Sequence, residues 1–157
     1  MNAKKKLSAG TVVTLLAAVL AIVSFVIYSM GINGAGYFKD AAVSNLPVFL
    51  WLAVAALACA LVLSKLSVKG AAGKVVDLVV GLLQIAAPVL LALCLINMVA
   101  GRVEGLGFIY FSNADVALEV QTPENLASAS NAITAMVCFG ISSLVAMVAA
   151  FFNLKKA

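Results

Sequence analysis

Four long apolar runs divide this chain, and none carries a charge near its middle. An α-helix needs around 20 residues to cross the hydrocarbon core of a bilayer, and each run reaches or approaches that length. Lipid cannot hydrogen-bond an open backbone, so such runs cross as helices. An ionised side chain at the bilayer centre is costly, which fits charges confined to the run ends. The spacing predicts helices over about 7–30, 46–64, 75–100 and 124–154. The expected fold is an all-α membrane protein, a four-transmembrane-helix bundle forming one domain over 1–157. Composition points the same way. Of the 157 residues, 65% are hydrophobic and 10% charged, against roughly 25% charged in soluble domains. A chain this short cannot bury that much apolar surface in a core of its own, so the lipid bilayer is its first partner.

Orientation follows from the basic residues. Lys4, Lys5 and Lys6 precede the first run; Lys65, Lys69 and Lys74 lie between the second and third; Lys155 and Lys156 follow the fourth. The other two connections, 31–45 and 101–123, hold only Lys39 and Arg102, with Asp40, Glu104, Asp115 and Glu119. Cytoplasmic loops gather Lys and Arg. Both termini are therefore expected on the cytoplasmic side of a cell membrane, in a multi-pass protein. The first run is longer than the apolar core of a signal peptide and ends in no small-x-small cleavage pattern, so it reads as an uncleaved anchor.

The two outer connections differ. Residues 31–45 are short and glycine-rich, with Tyr37 and Phe38 suited to the interface. Residues 101–123 form the longest connection. Gly101-Arg102-Val103-Glu104-Gly105-Leu106-Gly107 lacks periodicity. Phe108-Ile109-Tyr110-Phe111 and Val116-Ala117-Leu118-Glu119-Val120 then flank a turn-like Ser112-Asn113-Ala114-Asp115. Aromatic and β-branched residues on both sides of a turn favour a short β-hairpin. The rival is a short surface helix capped by Ser112. Thr122-Pro123-Glu124 starts the last helix well: a capping hydroxyl, a proline for the first turn and an acid at the positive end of the dipole.

Polar residues within the runs are the candidate functional positions. Gln84 lies near the middle of the third run, and Pro88, four residues on, cannot donate to its carbonyl and kinks the helix. Asn97 and Asn131 fall at similar depth on the third and fourth helices, where each amide is best satisfied by the other. Small residues recur at helix-contact spacing: Ala17 and Ala21, Ala56 and Ala60, Gly73 and Gly81, Ser142 and Ala146. Such rows let helices approach closely. There are more of them than one bundle needs, which leaves a row for a partner helix.

Catalytic chemistry finds little support. The chain has no histidine, the commonest general base and metal ligand. Cys59, Cys94 and Cys138 each sit in an apolar run without a CxxC pair, so they read as small hydrophobes and not as a redox or metal centre. Gly70-Ala71-Ala72-Gly73-Lys74-Val75 has the wrong glycine spacing for a phosphate loop and lacks its Ser or Thr. No catalytic residue, cofactor or metal is expected. The basic residues form no aromatic-interleaved patch, so no nucleic acid is expected either.

The Lys-rich start with its long apolar run, Thr122-Pro123-Glu124-Asn125 at the head of the last helix, and Ala149-Ala150-Phe151-Phe152 at its end resemble those of small tetraspan bacterial membrane proteins of uncharacterised function. That resemblance implies four helices and no particular activity. The leading expectation is a non-enzymatic self-associating or accessory subunit, partnered by a copy of itself or another membrane protein. The alternative is a small channel or transporter with a polar path near Gln84, Asn97 and Asn131.

Overall fold

The computed structural model describes residues 8–66, 70–152 and 154. The lysines at 4–6, 69, 155 and 156 lie outside them. The described residues are helical and contain no strand. Five helices follow in order: α1 (Ala9–Asn33), α2 (Leu46–Leu63), α3 (Ala71–Phe111), α4 (Ala114–Val120) and α5 (Pro123–Ala150). Four of them, α1, α2, α3 and α5, are long and apolar enough to cross a membrane. They form a ring in which α1 lies along α5, α5 along α3, and α3 along α2, with the α1–α2 contact the thinnest.

Small residues decide that order. The buried face of α1 is Gly10, Thr14, Ala17, Ala21, Ser24, Tyr28 and Gly31, spaced alternately by four and three residues. It meets an α5 face that includes Ala129, Ala132, Ala135, Ser142 and Ala146. Two helices with so little side chain between them approach closely, which is how helices associate where lipid removes the hydrophobic drive. The Ser142 hydroxyl donates to the Ala17 carbonyl at 3.0 Å. Larger groups, Leu50, Leu57, Leu91 and Phe139, fill the space at the centre.

Side-chain caps set the helix starts. Ser8 accepts from the Thr11 amide at 3.2 Å and its hydroxyl donates to the Leu154 carbonyl at 3.3 Å, tying the start of α1 to the chain beyond α5. Thr122 accepts from the Asn125 amide at 3.2 Å, as its sequence position predicts. We call the end of the bundle where Ser8 meets Leu154 the tail end. The opposite, capped end carries the 34–45 segment and α4.

The expected β-hairpin does not form. Helix α3 runs on without interruption through Pro88 to Phe111, a length of about 61 Å at 1.5 Å per residue. Its buried residues Leu91, Cys94, Met98, Arg102, Gly105 and Ile109 keep one face at intervals of three and four. Two of the three glycines that suggested a loop, Gly101 and Gly105, are contact points for the 34–45 segment, while Gly107 meets nothing. A Cβ on Gly105 would stand 2.6 Å from ring carbons of both Tyr37 and Phe38, and one on Gly101 would stand 3.1 Å from Val43. They are small so that the 34–45 segment can lie against the helix. Beyond Ser112 comes the surface helix α4, capped by Asn113 and not by Ser112: the Asn113 side chain accepts from the Val116 amide, while Ser112 turns back to the Phe108 carbonyl.

Gly36 makes the sharpest demand on sequence. Its φ is +112°, and a Cβ there would collide with the Glu124 carbonyl and the Ser128 side chain. Gly36→Ala is expected to cost about 1–3 kcal/mol from backbone strain alone. That should lower the unfolding temperature in detergent by several degrees. Gly81→Ala meets nothing within 4 Å and should leave the temperature unchanged or slightly raised. Equal melting of the two variants would refute this account of the 34–45 turn.

Candidate functional site

The polar positions separate into two levels. Near the tail end, Gln84 is buried and its Nε2 donates to the Ala149 carbonyl of α5 at 3.2 Å. The Ser143 hydroxyl donates to the Pro88 carbonyl at 3.1 Å. Both bonds cross from α3 to α5, and each uses a side-chain donor to satisfy a main-chain acceptor. In an apolar interior that is where such groups are most stable. Gln84 and Pro88 are thus held within a few turns of one another by the same helix, and the polar atoms involved face packed protein.

At the capped end the expected amide pair does not form. Asn97 turns its Nδ2 back to the Leu93 carbonyl of its own helix, at 2.8 Å. It lines a cavity with residues 41–44. Asn131 faces α1 instead: its Cβ lies 3.7 Å from the position a Cβ on Gly31 would take. Similar depth along two helices did not guarantee facing directions. An amide that reaches a carbonyl one turn back needs no partner across the bundle.

Between them lies the residue that most distinguishes this end. Arg102 is only 3% exposed. Its guanidinium sits 4.5 Å from the ring centre of Phe38 and 5.9 Å from that of Tyr28. Nη2 donates to the Ala41 carbonyl. Nε is buried without an acceptor, and Nη1 has none among the described residues. No carboxylate pairs with it among the described residues. Arginine keeps its charge at any working pH, so a full positive charge is enclosed here with one hydrogen bond and two ring faces for company.

The enclosure is built from two elements. Tyr28 comes from α1, and its hydroxyl accepts from the Val43 amide at 2.7 Å. Phe38 comes from the 34–45 segment, its amide donating to the Ser128 hydroxyl of α5 at 3.2 Å. Tyr37 stacks edge-on against Phe38 with ring centres 5.3 Å apart. On the far side a cavity of about 420 Å³ opens, lined by Ala41, Ala42, Val43, Ser44, Asn97, Ala100, Gly101 and Arg102. None of these is acidic.

Sequence reasoning placed Arg102 in an open connection and missed it as a site. The signal was present: Met98, Arg102, Gly105 and Ile109 continue the three–four spacing of the apolar stripe of α3. An arginine on the inward face of a helix, flanked by contact glycines, is the pattern to look for. Compared with known proteins, the chain matches no family profile, no curated protein and no solved structure.

Asn97 and Asn131 share no hydrogen bond and no partner. The losses in stability from Asn97→Leu and Asn131→Leu should therefore add in the double variant to within about 0.5 kcal/mol. A coupling well above that, measured by unfolding in detergent, would place the two side chains in contact after all.

Proposed function

We propose that this chain is a non-enzymatic integral membrane protein that acts as a self-associating or accessory subunit, with both termini cytoplasmic and its capped end outside. What carries this reading is how the interior polar groups are used. Gln84, Ser142 and Ser143 each donate to a carbonyl of a neighbouring helix, and Thr14 and Ser24 donate to carbonyls of their own. Leu91, Phe139 and the small-residue seam fill the space between. That use of polar groups favours packing over a wet path through the centre.

The face available to a partner is at the capped end. Helix α4 buries none of its side chains. Phe111 and Leu118 are 88% and 87% exposed. They lie beyond the apolar stretch 75–100 that spans the hydrocarbon. Large apolar groups this uncovered mark a contact surface. The partner is a second copy or another membrane protein.

Mass measurement in a gentle detergent tests the reading. The expected result is a species heavier than one chain, or a stoichiometric companion, that dissociates in the Phe111→Ser, Leu118→Ser double variant while its helical content is retained. A monomer in several mild detergents, together with solute flux in proteoliposomes, would favour the channel reading instead.

Orientation has its own test. In a background with the three cysteines replaced by alanine, Leu118→Cys should react with an impermeant maleimide added outside intact cells. Leu66→Cys should react only after the cells are opened. The reverse pattern would invert the assignment.

A further inference from the structure

We propose that the cavity beside Arg102 binds the phosphate group of a phospholipid, which neutralises the buried guanidinium and anchors the capped end at the headgroup level of the bilayer. Three independent observations meet here. The first is the unsatisfied charge. Arg102 is 97% removed from solvent, yet among the described residues Nε and Nη1 have no acceptor and no acid balances the charge. Nη1, which unlike Nε is not fully buried, is the donor that an entering phosphate oxygen meets.

The second is the space. The cavity of about 420 Å³ is lined by Arg102, residues 41–44 and Asn97, with no carboxylate in its lining to repel an anion. Its size falls in the range of small-ligand sites. Asn97 uses its amide nitrogen within its own helix, so its donors compete little with the arginine, and Ser44 offers a hydroxyl that rotates to suit the ligand.

The third is depth. The apolar part of α3, 75–100, has its midpoint at Ala87 and Pro88. Arg102 lies about 22 Å further along the helix at 1.5 Å per residue. Headgroups extend to roughly 20–22 Å from the midplane of a bilayer. The guanidinium is therefore at the level of the lipid phosphates in whichever leaflet faces the capped end. Within about a turn of its lining residues, Val48, Ile96 and Val99 are exposed apolar side chains. They give acyl chains a surface to lie on, which a free anion does not need. This favours a lipid over dissolved phosphate.

The test uses the full chain in a gentle detergent, stripped of native lipid, with native mass spectrometry as the readout. Three probes are added in turn: dioleoyl phosphatidylglycerol, dioleoyl phosphatidylcholine and dioleoylglycerol, which shares the acyl chains and lacks phosphate. Both phospholipids should be retained in a one-to-one complex and dioleoylglycerol should not. Arg102→Gln and, separately, Ala100→Leu, which fills the cavity and keeps the charge, should each weaken phospholipid retention at least tenfold. If Arg102→Gln does not fold, Ala100→Leu decides the matter, because Ala100 is an exposed wall position. Equal retention of dioleoylglycerol, or undiminished phospholipid binding by folded Ala100→Leu, would overturn the proposal. Thermal stabilisation by inorganic phosphate alone, with phospholipid adding nothing, would overturn the lipid assignment in favour of a dissolved anion. None of these outcomes depends on whether the chain self-associates.

Discussion

Everything else in this bundle rests on the close approach of α1 and α5. In lipid an apolar side chain gains little from being covered by another, so two helices hold together by contact area and by hydrogen bonds, not by expulsion of water. Gly10, Thr14, Ala17, Ala21, Ser24 and Gly31 supply a face with almost nothing projecting from it. Ser142 adds a hydrogen bond across the seam, to a carbonyl that approaches it only because the residue is Ala17. Replace any of these by a long side chain and the separation of the helices must grow, which breaks contacts along the whole seam at once.

The capped end inherits its geometry from that pair. Tyr28 and Gly31 lie at the end of the α1 face, and Ser128 lies at the start of the α5 face. The two helices are close enough for Ser128 to hold the Phe38 amide and for Tyr28 to hold the Val43 amide. These two bonds fix the 34–45 segment across the top of the bundle. With the segment fixed, Phe38 and the Ala41 carbonyl have one place to be, and both fall on Arg102. Gly101 and Gly105 on α3 make room for the segment to lie that close. An unpaired arginine is thus enclosed by a chain of contacts that begins in a seam of small residues.

The long-range pattern of the fold was written in the sequence and the fine structure of its capped end was not. Runs of apolar residues declare spanning helices because the period and the length are set by one chain segment and by the thickness of lipid. Thr122 as a cap and the buried rows Ala17–Ala21, Ala56–Ala60 and Ser142–Ala146 are local too, and were legible, whereas Gly81 of the expected Gly73–Gly81 row faces open space. The helical course of 101–111 was obscured by Gly101, Gly105 and Gly107, which ordinarily argue against helix. Two of the three are glycine for the sake of Val43, Tyr37 and Phe38, residues some 60 positions earlier, and no local rule carries that information. Asn97 and Asn131 failed as a pair for a related reason. Depth can be counted along a helix, but the rotation of one helix against another depends on packing that α1 and the 34–45 segment impose.

The energetics of Arg102 show why it matters beyond its position. Removing a guanidinium from water costs several kcal/mol even after relaxation. Against that stand one hydrogen bond from a charged donor, about 1.5–3 kcal/mol, and ring contacts of roughly 0.5–2 kcal/mol each. The two sides are of similar size only if every favourable contribution takes its upper value, and the Tyr28 ring, at 5.9 Å, is near the limit of useful range. Two nitrogens still lack acceptors. A chain selected for stability alone would place an uncharged residue there, since exchanging buried charge for well-packed apolar volume is neutral or favourable. Lysine would serve poorly as well, because its compact ammonium lacks the planar group that stacks on Phe38 while donating to the Ala41 carbonyl. Retaining arginine makes physical sense when a missing acceptor arrives from outside the chain. The cavity that Arg102 lines is the route by which an acceptor reaches Nη1.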